Sequence, residues 1–243
     1  MPSIKKKAPK SKKRILVKVR FFKILFDLLL IFIILTVTPV LAYRFINPPT
    51  TSLLWIRWIE SDYKESRPTF LVNWKTLDQI SPNLIRAVVA AEDQKFFIHD
   101  GFDWQAIEAA IKVNLSSDRT LGASTISMQT ARNVFLWQKR NWLRKSLEAW
   151  FTILIEFLWT KARILEVYMN VIEWGEGLFG CESASRYYYK HSASTLSPVE
   201  ASSMAAVLPN PRQWSVINPN THVRDRQLKI LKAMDRVRLF SLY

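Results

Sequence analysis

The chain has 243 residues, 49% hydrophobic and 23% charged, which suits one domain of moderate size or one domain with an anchor. Only five Gly argue against a turn-rich barrel or sandwich, and the single Cys, Cys181, excludes an intramolecular disulfide. The net charge of +15 is concentrated: residues 1–46 hold eleven Lys or Arg against one acid, Asp27. Such an arm is compatible with nucleic acid, but the segment that follows it argues for a membrane instead.

That segment, LLLIFIILTVTPVLAY from Leu28 to Tyr43, carries no charge over sixteen residues. As a helix it spans roughly 24 Å, and extending it to Phe21 and Ile46 reaches a hydrocarbon core of about 30 Å. Ten Lys or Arg before Asp27 place the N-terminus on the cytoplasmic side. The expected organisation is a basic cytoplasmic arm (1–20), a transmembrane anchor (21–46), a linker with a membrane-proximal segment (47–80) and a C-terminal domain (81–243). Val40-Leu41-Ala42 resembles a signal cleavage site, which is the competing reading. LLWIRWI, Leu53 to Ile59, suits either a membrane interface or an element packed on the core.

From Ser81 onward the periodicity is helical, and the fold class expected is mainly α. Ser81-Pro82 is a cap followed by Pro at the first helical position, with Ile85, Val88 and Val89 inward and Glu92 near the end of that face. Asp103 caps the next helix, with Ile107, Ala110 and Ile111 inward. Ser124 caps a third, through about Val134. A long helix from about Asn141 to Trp159 has Leu143, Leu147, Phe151, Leu154, Ile155 and Leu158 as its apolar stripe. Thr160 caps a helix through Met169, and Ser197-Pro198-Val199-Glu200 is a capping box. A last helix starts near His222 and carries Val223, Ile230, Met234 and Val237.

Three segments could carry chemistry. In AAEDQKFFIHDGFDW, Ala90 to Trp104, Glu92 stands among Val88, Val89, Phe96 and Phe97. Burial there raises a carboxyl pKa and makes a useful base, whereas in solvent Glu92 is only a helix-terminal acid. In LGASTISMQTARN, Leu121 to Asn133, Gly122 and Ala123 permit close approach of a ligand. Ser124 and Thr125 begin a helix where anions bind. Thr125, Gln129 and Arg132 share one face, with Asn133 beside it. Capping and solvent exposure explain the same residues as well. In RKSLE, Arg144 and Glu148 lie four apart, either as a routine surface pair or as a cluster that a phosphate would complete.

In this order the segments closely resemble the family 51 glycosyltransferases, which polymerise peptidoglycan, and the monofunctional membrane-anchored members above all. The first block reads Glu92, Asp93, Phe96, His99, Gly101. The second reads Gly122, Ala123, Ser124, Thr125, Ile126, Gln129, Arg132, Asn133, and the third Arg144, Lys145, Glu148. KARILEVYMN, Lys161 to Asn170, is the fourth, and a fifth region runs from GEGLFG through Ala201 to LPNP at Leu208–Pro211. The resemblance spans roughly residues 50–220. Ala123 replaces a second Gly, Arg132 replaces a common Lys, and Tyr188-Tyr189-Lys190-His191 stands where the family has Tyr-Phe-Gly-Lys.

The resemblance implies a lysozyme-like helical domain behind a single N-terminal transmembrane helix. It implies lipid II and a lipid-linked glycan chain as substrates, at a bacterial cytoplasmic membrane with the catalytic domain outside. Glu92 and Glu148 would be catalytic. Asp93, Ser124, Thr125, Gln129, Arg132, Asn133, Arg144, Lys145 and Lys190 would bind substrate, with Asp93 also bracing its block. It leaves a divalent metal, Mg or Mn, open near Glu148, and names cell-wall synthesis proteins as candidate partners, with no nucleic acid. The alternatives are a muramidase or lytic transglycosylase on the same fold, and a non-enzymatic cell-wall scaffold. Ser61-Asp62-Tyr63-Lys64 spells Ser-x-x-Lys but lacks its companion motifs and reads as coincidence.

Overall fold

The computed structural model describes residues 10–60, 73–116 and 122–239, with side chains from residue 18 onward. The first nine residues of the basic arm, Ser61-Asp62-Tyr63-Lys64 and Leu121 lie outside the described residues. Contacts divide the chain into two units, 1–42 and 43–243.

The first unit is most of helix α1 (Lys10–Phe45). Residues 18–45 form a helix long and apolar enough to cross a membrane. Phe21, Leu28, Leu29, Ile31, Ile34 and Leu35 are exposed along it. Pro39 removes one donor from the backbone ladder, while Thr36 donates its hydroxyl to Phe32 O at 2.8 Å.

Among the described residues, the regular structure of the second unit is helical apart from one small hairpin. It contains α2 (Ser52–Glu60), α3 (Pro82–Glu92), α4 (Trp104–Ser116), α5 (Ile126–Phe135), α6 (Trp142–Leu158) and α7 (Lys161–Val171). There follow strands β1 (Glu173–Gly175) and β2 (Leu178–Phe179), then α8 (Cys181–Tyr189), α9 (Pro198–Ala206) and α10 (Thr221–Met234). Strands β1 and β2 pair antiparallel, a feature the periodicity did not reveal because so few residues alternate. Helices α3, α9 and α10 pack on one another, and α5 packs on both α6 and α7. Leu84, Ile85, Val88 and Val89 fill the first group, and Ile126, Ala131, Ile155, Ile164 and Leu165 the second.

Caps explain where the helices begin. Ser81 accepts from Asn83 N ahead of Pro82, and Asp103 Oδ1 accepts from Ala106 N at 3.0 Å. Thr160 accepts from Arg163 N, and both bonds of the Ser197–Glu200 capping box are present. The third cap is Thr125, not Ser124: its hydroxyl accepts from Met128 N. The last helix begins one residue before His222, capped by Asn220. At the end of α1, Arg163 donates to the carbonyls of Tyr43 and Ile46, groups a helix terminus leaves without partners.

Some inward-facing expectations are corrected. Ile111 is 53% exposed and Ile107 only half-buried, so α4 covers the core mainly through Ala110. On α6, Leu143 is exposed and Leu147 and Leu158 half-buried. The face α6 turns inward reads Arg144, Glu148, Phe151, Thr152, Ile155, so charge occupies the place that apolar spacing assigned to Leu. Val237 lies beyond α10 and is half-buried. Leu53 to Ile59 is helical, with Leu53 and Leu54 buried and Trp55 and Ile59 exposed. Cys181 is buried, which pushes its thiol up to about 12.

Candidate active site

Glu92 is the last residue of α3, and its side chain is only 12% exposed. Gln129 Nε2 of α5 donates to its Oε2 at 2.9 Å, and Arg226 Nη2 of α10 donates to its Oε1 at 3.0 Å. Tyr168 of α7 donates to Gln129 Oε1 at 3.1 Å, which fixes the way the Gln129 amide points. Three helices thus aim polar groups at the end of a fourth. Burial pushes the Glu92 carboxyl above its ordinary value, while Gln129, Arg226 and Arg132 pull against that rise. Burial also pushes the Tyr168 hydroxyl well above its ordinary value, with the Glu92 charge adding to it, so Tyr168 remains a donor.

Asp93 faces another way. Its carboxylate accepts from Ile126 N at 3.0 Å, at the N-terminus of α5, and lies 3.0 Å from His99 Nε2. Gly101 N donates to His99 Nδ1 at 3.0 Å, so the proton of the neutral ring sits on Nε2 and points to Asp93. Thr125 Oγ1 donates to Gly101 O at 2.7 Å. Lys161 donates to His99 O at 2.6 Å and pairs with Glu156 at 2.8 Å. The Glu92 block is thereby bound to α5 and α7.

A second cluster lies on α6. Glu148 is 1% exposed at its side chain; Oε2 takes Arg144 Nη1, and Oε1 takes Lys145 Nζ at 2.5 Å. Arg144 is 8% exposed, and its Nε is buried with no hydrogen-bond partner. Lys145 is partly open to solvent. Arg132, half-buried on α5, joins the two clusters: its charge lowers Glu92, and Glu148 in turn supports the Arg132 charge against burial. Asn133 is buried beside it, 3.5 Å from Arg132 Nε.

The remaining predicted residues divide. Ser124 is half-buried ahead of α5, and among the described residues nothing lies within 4 Å of a Cβ added at Gly122. Thr125 is buried and committed to Gly101 O and Met128 N. Lys190 is not drawn into either cluster: it is exposed, in the left-handed region at φ 64°, and donates to Tyr187 O at 2.9 Å. His191 pairs with Glu200 at 3.1 Å. Both oxygens of Glu148 are taken by cations, and among the described residues no three His, Cys, Asp or Glu converge as metal ligands. That arrangement does not fit a resident divalent ion at Glu148.

Sequence reasoning missed Arg226 and Tyr168. Tyr168 stood inside the KARILEVYMN block. Nothing near Arg226 marked it, because its partner lies 134 positions earlier in the chain.

The transglycosylase family model matches residues 64–235. The chain is 49% identical over 205 residues to a biosynthetic peptidoglycan transglycosylase of Bdellovibrio bacteriovorus, covering 84% of this chain and 82% of that protein. It is 48% identical over 214 residues to one of Caulobacter vibrioides, covering 87% and 91%. A third relative of the same name, from Pseudomonas syringae pv. syringae, is 50% identical over 191 residues, covering 79% and 81%. The family model and these relatives each cover most of this molecule, and the chain belongs to the transglycosylase family.

Proposed function

We propose that the protein polymerises peptidoglycan glycan strands from lipid II, with release of undecaprenyl pyrophosphate. The observation that carries this reading is the pairing of a shielded carboxylate, Glu92, with the cations Arg132, Arg144 and Lys145 gathered around a second buried carboxylate, Glu148. The names of the relatives support the substrate class.

Glu92 takes the proton of the acceptor sugar's 4-hydroxyl. The freed oxygen attacks the donor's anomeric carbon from the face opposite the pyrophosphate. The new carbon–oxygen bond forms as the bond to the pyrophosphate oxygen breaks, so an α-linked donor becomes a β-1,4 linkage. The departing diphosphate carries its electron pair away as an anion, which needs cations more than a proton. Arg144 supports this role with an unused buried N–H beside its pair with Glu148. Glu148 orients Arg144 and Lys145, Gln129 orients Glu92, and Ser124 and Asn133 bind substrate.

The apolar helix of residues 18–45 holds the enzyme where both lipid-linked substrates reside, with the basic arm cytoplasmic and the catalytic unit outside. The test is incubation of the purified full-length protein with labelled lipid II. Wild type should yield polymer, and Glu92→Gln none while still melting cooperatively. Polymer from Glu92→Gln at near wild-type rate would refute the role of Glu92. Cleavage of finished glycan without use of lipid II would favour a lytic enzyme instead.

A further inference from the structure

We infer that Arg226, on the C-terminal helix α10, is a positioning residue that keeps Glu92 ionised and aimed, so that α10 completes the proton-accepting site. The inference rests on the reading of Glu92 as the base.

Glu92 stands in an unfavourable place for a negative charge. It is shielded from water, and it ends α3, where the backbone carbonyls present the negative pole of the helix. Both effects favour the protonated form of the carboxyl, which cannot accept a proton. Arg226 answers both with one atom: Nη2 donates to Glu92 Oε1 at 3.0 Å and to Ala91 O at 3.1 Å. Oε1 is held by Arg226 and Oε2 by Gln129, so the plane of the carboxylate is set from two helices.

The placement is not incidental packing. The Arg226 Nε is buried without a hydrogen-bond partner, so the guanidinium does not sit where its own donors are best satisfied. It sits against the carboxylate. The other groups around Glu92 do not duplicate it. Arg132 of α5 acts on Glu92 by charge alone and is shared with Glu148. Tyr168 of α7 is bonded to Gln129. Glu200, the one charged residue of α9, is turned to His191 and Ser197. Asp93 is occupied by His99 and Ile126 N. On α10 itself, Arg224, Asp225 and Lys229 are exposed.

The sign follows from the chemistry. Arg226 stabilises the charged form of Glu92, so its removal raises the carboxyl pKa further. The acid limb of kcat/KM against pH reports the base of the free enzyme, the state in which this contact is seen. The experiment measures that profile for full-length wild type, Arg226→Met, Arg226→Gln and Arg226→Lys with labelled lipid II. Arg226→Met keeps much of the apolar stem. Its acid limb should move to higher pH by about one unit, the low end for a paired charge because Arg226 is 28% exposed. Activity should fall about tenfold below the limb and recover toward wild type above it. Arg226→Lys, which restores the charge, should bring the limb back to within about half that shift.

A loss equal at every pH, or a limb that does not move, would overturn the proposal, because a merely structural role predicts that pattern. If Arg226→Met fails to fold, the same limb read on Arg226→Gln decides the matter, with no movement there counting against it. Glu92→Gln separates the two claims. If it polymerises lipid II, the reading of Glu92 as the base fails. If it is inactive and the Arg226 variants leave the limb in place, only the role of Arg226 fails.

Discussion

Glu92 is held in a state that costs stability. Its folded-state carboxyl lies above the unfolded value, mainly through burial, with Gln129 and Arg226 opposing. The folded protein therefore binds this proton more tightly than the unfolded chain does. Stability from this group falls as pH rises through the interval between the two values, and the penalty is complete only above the folded value. Glu92→Gln should then abolish polymerisation while its thermal midpoint at neutral pH stays equal to wild type or rises. A large drop in that midpoint would mean the carboxylate serves the fold instead. Gly101 shows the opposite case, a residue the fold requires. It has φ +91°, and an added Cβ would lie 2.8 Å from Thr152 Cγ2 and 2.9 Å from Glu156 Cγ. Gly101→Ala should cost about 1–3 kcal/mol in denaturant unfolding through strain and crowding against α6.

At the scale of elements, α6 buries charge within an otherwise largely apolar face. Its N-terminal half buries Arg144 and Glu148 where periodicity assigned Leu143 and Leu147. Removing one member of such a pair strands the other charge. Glu148→Met should destabilise the protein by about 3–5 kcal/mol, while Arg144→Met with Glu148→Met should recover most of that and still lack polymerase activity. Equal instability of the single and double variants in urea unfolding would refute the argument. Most helix boundaries were legible because caps are local: Ser81, Asp103, Thr160 and Ser197 each act within three residues. Thr125 displaced Ser124 as cap because Thr125 also reaches Gly101 O, a contact 24 positions away that no local pattern records.

At the scale of the molecule, the apolar helix and the catalytic unit have separate tasks. Deleting residues 1–42 should leave a cooperatively folding protein that no longer sediments with vesicles. Its turnover of vesicle-borne lipid II should fall at least tenfold at limiting substrate, because tethering supplies effective concentration. Undiminished turnover under those conditions would show that the anchor adds nothing to catalysis. The sequence by itself determined an apolar helix long enough to cross a membrane, the helical class, most of the caps and the ordered blocks around Glu92, Gln129, Arg132 and Glu148. Those features rest on spacing and composition within a few turns of chain. Only the tertiary structure decided which side chains surround Glu92, that Arg226 is one of them, that Asp93 braces α5 through His99 and Ile126, and that Lys190 turns away. The contacts of Glu92 with Gln129 and Arg226, and of Asp93 with Ile126, join segments tens to more than a hundred residues apart, where burial and charge are set by packing and leave no mark on local periodicity.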